Sequence, residues 1–279
     1  MRATIPSRLS RPVSAGVFRE RTGAVEQLLA PLLKAAENSD SIIAGSVGEF
    51  EAGEELFHIP RFIFMGPKGG GDTIRLGVFA GIRGDEPQGT KAIASFLQLL
   101  ENDSDYSRDY HIYTYPICNP SGLASGTAQN AAGHDLAGHF WRGSNQPEAY
   151  YLEREMGVHQ FQGVISLGGT DDDNPRFLFS GGPHSILRAA MASPSLLPAR
   201  MFLADTQSKD LVSGALVQDS TDSAAGFLTR TNELRAMPFE INFEIPRLAP
   251  EKTQIVWMVN ALVSILDSYR AVQSFQQNI

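Results

Sequence analysis

The spacing of hydrophobic positions changes several times along the chain, and each change predicts an element. From Ala24 to Ala36 the apolar residues Val25, Leu28, Leu29, Leu32 and Leu33 fall on one helical face. Ser41 to Gly48 and Leu56 to Met65 read as strands, the second ending in the turn cluster Gly66-Pro-Lys-Gly-Gly-Gly-Asp72. Thr73 to Ile82 is nearly continuously apolar, as expected of a central strand covered on both faces. It runs into Phe79-Ala-Gly-Ile-Arg-Gly-Asp-Glu-Pro-Gln-Gly89, and a helical pattern leaves that stretch from Thr90 to Leu100. Asp109 to Cys118 is a further strand, ending in the turn signal Asn119-Pro-Ser-Gly122.

Residues 123–146 are glycine-rich and polar without clear periodicity, a long loop of the kind that carries function or lacks order. Pro147 to Gly157 reads as a helix with proline in its first turn. Gly163 to Gly168 and Arg176 to Ser180 read as strands, Pro183 to Met191 as a helix, and a mixed stretch follows to Asp222. Ala224 to Leu234 reads as a helix and Met237 to Ile245 as a strand. Thr253 to Tyr269 is amphipathic, with Ile255, Val259, Leu262, Val263 and Leu266 on one face. Strands alternating with helices imply an α/β fold, a three-layer αβα sandwich with a mixed, mainly parallel central sheet. No linker or internal repeat divides the chain, so residues 1–279 are expected to form one domain, with 1–20 as an irregular N-terminal arm.

Composition narrows the partners. With 42% hydrophobic and 19% charged residues, the 279-residue chain can bury a substantial core. A net charge of -8 argues against a nucleic-acid backbone as partner. No run approaches the length of apolar residues that spans a bilayer, and Met1 to Ser10 lacks a signal-type core, so a cytoplasmic protein without a membrane partner is expected. Cys118 is the sole cysteine, which excludes an internal disulfide and a cysteine-based zinc site. Within Tyr113 to Cys118 it reads as a small core residue.

Chemistry in such a fold collects at the carboxyl ends of strands. Four strand ends carry polar or glycine-rich sequence: 82–87, 119–143, 166–174 and 244–246. Together, Ala80-Gly-Ile-Arg-Gly-Asp-Glu-Pro87, Asn119-Pro-Ser-Gly122, Gly126 to Phe140, Val164-Ile-Ser-Leu-Gly168 and Phe243-Glu-Ile-Pro246 resemble the zinc carboxypeptidase superfamily. The resemblance is to its succinylglutamate desuccinylase and aspartoacylase-like branch, and it covers about residues 73 to 266.

The resemblance implies a metal held by His-x-x-Glu on the first corner and by a second histidine further on. Glu86 stands at the carboxylate position, but Arg83 and Gly168 stand where the two histidines would be. It further implies an oxyanion-stabilising arginine in Thr-Arg-x-Asn, here Thr127-Ala-Gln-Asn130, and a substrate grip in Asp-Leu-Asn-Arg, here Asp135-Leu-Ala-Gly138. Glu244 matches the general base. Arginine offers no lone pair to a metal and glycine no side chain, so no metal or other cofactor is expected. Zinc is expected only if displaced ligands such as Glu86, Asp135 and His139 hold it.

The candidate residues are therefore Glu244 as a residual base and Arg83, Glu86, Asn130, Asp135 and His139 as binding residues. In one reading the Arg83 guanidinium takes the place of a metal's charge and pairs with Glu86 and Glu244. In the other, Arg83 points to solvent from a turn. Asp171-Asp-Asp173 suits either a hard cation or a solvated acidic turn. Ser180-Gly-Gly-Pro-His184 suits either an anion-binding turn or a plain connection. His58, His111, His159 and His184 have no ligand-like spacing, and neither a serine-hydrolase elbow nor a phosphate loop occurs.

Three functions remain open. The first is a non-catalytic carboxypeptidase-like protein binding a small molecule, peptide or protein. The second is a metal-dependent carboxypeptidase or N-acyl amino acid amidohydrolase with displaced ligands. The third is a metal-independent enzyme using Glu244 as base and Arg83 as electrophile.

Overall fold

The computed structural model describes residues 23–180, 201–204, 211–214, 216–219, 227–229, 231, 234 and 238–277. Helix α1 spans Ala24–Glu37, and strands β1 (Ile42–Ala52) and β2 (Glu55–Met65) form a hairpin. Strand β3 (Ile74–Ala80), helix α2 (Gln88–Asn102) and strand β4 (Tyr110–Tyr115) follow. Next come helices α3 (Pro120–Ser125) and α4 (Pro147–His159) and strands β5 (Gly163–Thr170) and β6 (Arg176–Ser180). Strands β7 (Met201–Ala204), β8 (Leu211–Gly214), β9 (Leu216–Asp219) and β10 (Phe239–Pro246) precede the long helix α5 (Glu251–Gln277).

The strands join into one mixed sheet in the order β1-β2-β4-β3-β5-β10-β6-β9-β7-β8. The neighbours β4-β3, β3-β5, β5-β10, β6-β9 and β7-β9 are parallel, while β1-β2, β2-β4, β10-β6 and β7-β8 are antiparallel. This is the mixed α/β sheet that the alternating pattern implied.

Period-two alternation supplies both faces of the sheet. On β3, Leu76, Val78 and Ala80 point into one core, and Phe79 points into another. On β10, Phe239, Ile241, Phe243 and Ile245 join the first core, with α1, α2 and α5 packed over it. Glu240, Asn242 and Glu244 therefore take the opposite face. That face is covered by Leu152 and Met156 of α4, by Leu136 and Phe140 of the long loop, and by Leu228. Helix α5 is long and apolar enough over Glu251–Ser274 to cross a membrane by length and composition. Here Met258, Ala261, Leu262, Ile265 and Leu266 are buried in the first core. The Tyr110 hydroxyl donates to the Leu266 carbonyl at 2.6 Å, tying β4 to that helix.

Several elements differ from the sequence reading. Strand β1 runs on to Ala52, with a register irregularity between Ser46 and Gly48. Asn119-Pro-Ser-Gly122 begins helix α3 instead of closing a turn. Asn119 is its N-cap and accepts from Gly122 N at 2.9 Å, with proline in the first turn, a combination that starts helices. The long loop contains a 3-10 turn at Leu136–Gly138. The mixed stretch before Asp222 contributes β7, β8 and β9. The helix read at 183–191 lies outside the described residues. In the one read at 224–234, the described Phe227, Leu228 and Thr229 form a turn.

Candidate functional site

Two glycines set the corner after β3. Gly81 has φ +61, the left-handed region where a side chain is disfavoured. At Gly84 an added Cβ would lie 2.1 Å from Gly122 C, so the corner packs directly on helix α3. The β3–β4 ladder continues past both strands, with Cys118 N donating to Ala80 O at 3.0 Å and Asn119 N to Gly81 O at 2.8 Å. The buried Asn119 amide donates to Ile82 O at 3.3 Å and to Ala128 O at 3.2 Å, fastening the corner to the long loop. Glu86 and Arg83 hang from this corner.

Glu86 is the centre of the arrangement, with only 8% of the residue exposed. Its Oε1 accepts from Arg247 Nε at 3.1 Å and from Nη2 at 2.6 Å, and its Oε2 accepts from Gly169 N at 3.0 Å. Arg83 Nε lies 3.1 Å from Oε1. That nitrogen makes no hydrogen bond, so its contact is charge attraction without a directed N–H. Arg83 Nη2 donates to Asp85 Oδ2 at 3.1 Å. Burial pushes the Glu86 carboxyl above the usual carboxylate range, against the opposing pull of Arg247, the Gly169 amide and Arg83. For Arg247, burial works against the charge, but Glu86 and Asp171 outweigh it and hold the guanidinium's pKa above its ordinary value.

A second clamp lies beside the first. Arg176 stands opposite Glu244 on the antiparallel pair β6–β10. Its Nε donates to Glu244 Oε2 at 3.0 Å, and its Nη2 contacts the same oxygen. Each arginine also reaches the turn after β5. Arg247 Nη1 donates to Asp171 Oδ1 at 2.6 Å, and Arg176 Nη1 lies 2.8 Å from Asp172 Oδ2. The acidic turn is thus pinned by two guanidiniums.

Gly168 sits between the clamps. A Cβ built there would lie 3.6 Å from Glu86 Oε2 and 3.9 Å from Glu244 Cγ, both ordinary contacts. A cavity of about 210 Å³ opens at this point, lined in part by Asp85, Glu86, Gly168, Arg247, Gln254 and Met258. A larger cavity of about 450 Å³ lies between the start of α1, the β1–β2 turn and α3, and none of the candidate residues lines it.

The sequence candidates divide between these places. Arg83, Glu86, Gly168 and Glu244 gather at the strand ends, and Arg83 contacts Glu86 as the first reading of it required. Glu244 is held by Arg176 instead, because the sheet order places β6 beside β10. Asn130 is buried in the long loop. Its Nδ2 donates to Gln146 Oε1 at 2.7 Å and Glu148 Oε2 at 3.3 Å, and its Oδ1 accepts from Ala132 N at 3.1 Å and His134 N at 3.0 Å. Those four bonds fill the capacity of its amide. Asp135 caps the 3-10 turn, accepting from Ala137 N at 3.2 Å, and His139 Nδ1 lies 2.8 Å from Ser144 Oγ. Among the described residues, no three His, Cys, Asp or Glu side chains come together in a group that could hold a metal ion. The donor set does not fit zinc: Glu86 has both oxygens engaged, position 83 carries a cation, and position 168 has no side chain.

Arg247 and Arg176 were not among the sequence candidates. Arg247 follows the Phe243-Glu-Ile-Pro246 anchor directly, so a search for every cation at a strand end would have found it.

The described chain has a zinc-carboxypeptidase-like α/β fold, and solved structures carry that statement. A metallo-carboxypeptidase from Burkholderia cenocepacia matches with a TM-score of 0.66 and 14% identity, over 88% of this chain and 69% of that one. A metallo-carboxypeptidase from Pseudomonas aeruginosa matches with a TM-score of 0.57 and 17% identity, over 86% and 68% of the two chains. A succinylglutamate desuccinylase/aspartoacylase from Rhodobacter sphaeroides matches with a TM-score of 0.51 and 15% identity, over 81% and 65%. No family model matches the sequence, and no curated protein matches it.

Proposed function

We propose that this chain uses the carboxypeptidase-like fold without metallohydrolase chemistry, and that the carboxyl end of its sheet binds a small molecule or peptide end. One observation carries the reading: Glu86, at the metal-ligand position the resemblance assigns, is doubly hydrogen-bonded by Arg247. A guanidinium supplies charge but cannot activate a water as a bound metal does. Glu244, the general-base position, accepts from Arg176 Nε and Nη2 on one oxygen. The cavity beside them, about 210 Å³, is smaller than the roughly 300–1,000 Å³ of drug-sized sites, and it suits a ligand about the size of an amino acid.

The test is metal analysis and zinc titration of the purified protein, with hydrolysis of N-acyl amino acids and short peptides followed in parallel. The expected outcome is no stoichiometric zinc and no turnover with or without added zinc. Stoichiometric zinc that disappears in Glu86→Gln, together with hydrolysis, overturns the reading. On the binding side, amino-acid-sized ligands should raise the unfolding temperature of the wild type, and Gly169→Leu, which places a side chain against the cavity-lining Arg247 and Glu86, should remove that shift.

A further inference from the structure

The arginine that dominates the corner is one the family resemblance does not account for. Glu86 is withdrawn from water, and a buried carboxylate left without a partner is costly. Two linked features make this pairing. The first is Arg247, which donates from Nε and Nη2 to Glu86 Oε1 and from Nη2 to Gly169 O at 3.2 Å. The second is Gly169 itself. A Cβ at that position would lie 2.8 Å from Arg247 Cγ, 3.0 Å from its Nε and 3.1 Å from Glu86 Oε1. Arg247 therefore crosses the strand end through space that a side chain at 169 would fill. Arg83 adds positive charge but no directed N–H.

We propose that Arg247 is the resident cation of this corner and determines its selectivity, with the Gly169 gap and Glu86 forming its seat. The guanidinium neutralises Glu86 from within the chain and shuts out free inorganic cations. Being covalently attached, it competes at a high effective concentration without the entropy loss that a free ion incurs. Having no lone pair, it completes the corner electrostatically while leaving no coordination position for water. The inference rests on the non-metal reading of the corner given above and assigns that role to one residue.

A double-mutant cycle tests it, using thermal unfolding of wild type, Arg247→Ala, Glu86→Gln and the double variant. Each is titrated with methylguanidinium chloride against equal sodium chloride. Arg247→Ala is expected to lower the unfolding temperature by about 4–8 °C, the double variant by clearly less. Methylguanidinium should raise the unfolding temperature of Arg247→Ala and leave the wild type and the double variant unmoved. Additive costs, or an equal response of all four proteins to methylguanidinium, overturn the proposal. If Arg247→Ala does not fold, recovery of folding by adding Glu86→Gln supports it, and an equally unfolded double variant overturns it. Loss of coupling sinks this assignment without touching the non-catalytic reading. Hydrolytic activity in the wild type that needs no metal, with coupling intact, sinks the non-catalytic reading and leaves this one standing, whereas zinc-dependent activity overturns both.

Discussion

Glu240 gives the strongest quantitative expectation. It is fully buried on β10 and accepts from Leu228 N at 3.2 Å, Thr229 N at 2.8 Å and Thr229 Oγ1 at 2.7 Å. Burial pushes its carboxyl from 4.5 up to about 7, against the opposing effect of those donors. The folded state therefore holds a proton that the unfolded state has lost between pH 4.5 and 7. The stability this group contributes is fully present below pH 4.5 and is lost as pH rises through 7. A difference of about 2.5 units at 1.36 kcal/mol per unit makes the loss about 3 kcal/mol above pH 8. Glu240→Gln removes the titration while keeping an oxygen acceptor of the same reach. The assay is urea unfolding of both proteins at pH 5, 6, 7 and 8, with the difference between them isolating this residue from Glu86, whose shift has the same sign. The variant should gain on the wild type by about 2–4 kcal/mol from pH 5 to pH 8. Parallel curves would refute the assignment of a neutral, buried acid to this position.

Other expectations follow from the same contacts. Gly169→Ala should cost about 1–3 kcal/mol in chemical denaturation because its Cβ meets Arg247 at 2.8 Å, whereas Gly168→Ala, with its nearest contact at 3.6 Å, should cost less than about 0.5. Cys118 is fully buried and burial pushes its thiol pKa up, so a thiol reagent should leave the folded protein untouched and react at the rate of unfolding. Arg83→His with Gly168→His should bind zinc weakly by calorimetry while Arg247 remains, and much more tightly once Arg247→Ala is added. Equal affinity in the two backgrounds would contradict the competition.

How much of this was legible in the sequence depends on the range of the interaction. Strand β3 was plain because a centre strand buried on both faces must be apolar throughout. The Arg83–Glu86 contact was within reach because it spans three residues. Arg176 with Glu244 was not: their meeting depends on β6 lying antiparallel beside β10, a neighbourhood fixed by sheet order and not by spacing along the chain. Helix α3 carried its own signal, Asn119 followed by Pro120, and the turn residues around them concealed it. Asn130 looked like a ligand-binding residue because it closes Thr127-Ala-Gln-Asn130, the stretch that resembles the family's Thr-Arg-x-Asn. Its partners Gln146 and Glu148, 16 and 18 residues away, decide that the side chain holds the loop together.

The Arg247 clamp has two unlike sides. Arg247 has Glu86 on its inner side, 9% exposed at the side chain, and Asp171 on its outer side, 87% exposed. Ionic strength will act on these partners separately. At 0.15 M salt the Debye length is about 8 Å, so the outer aspartate trades places readily with chloride while the inner glutamate is shielded from mobile ions. Salt should thus loosen the acidic turn after β5 well before it reaches the carboxylate at the corner, so the two ends of one guanidinium answer to different ionic strengths.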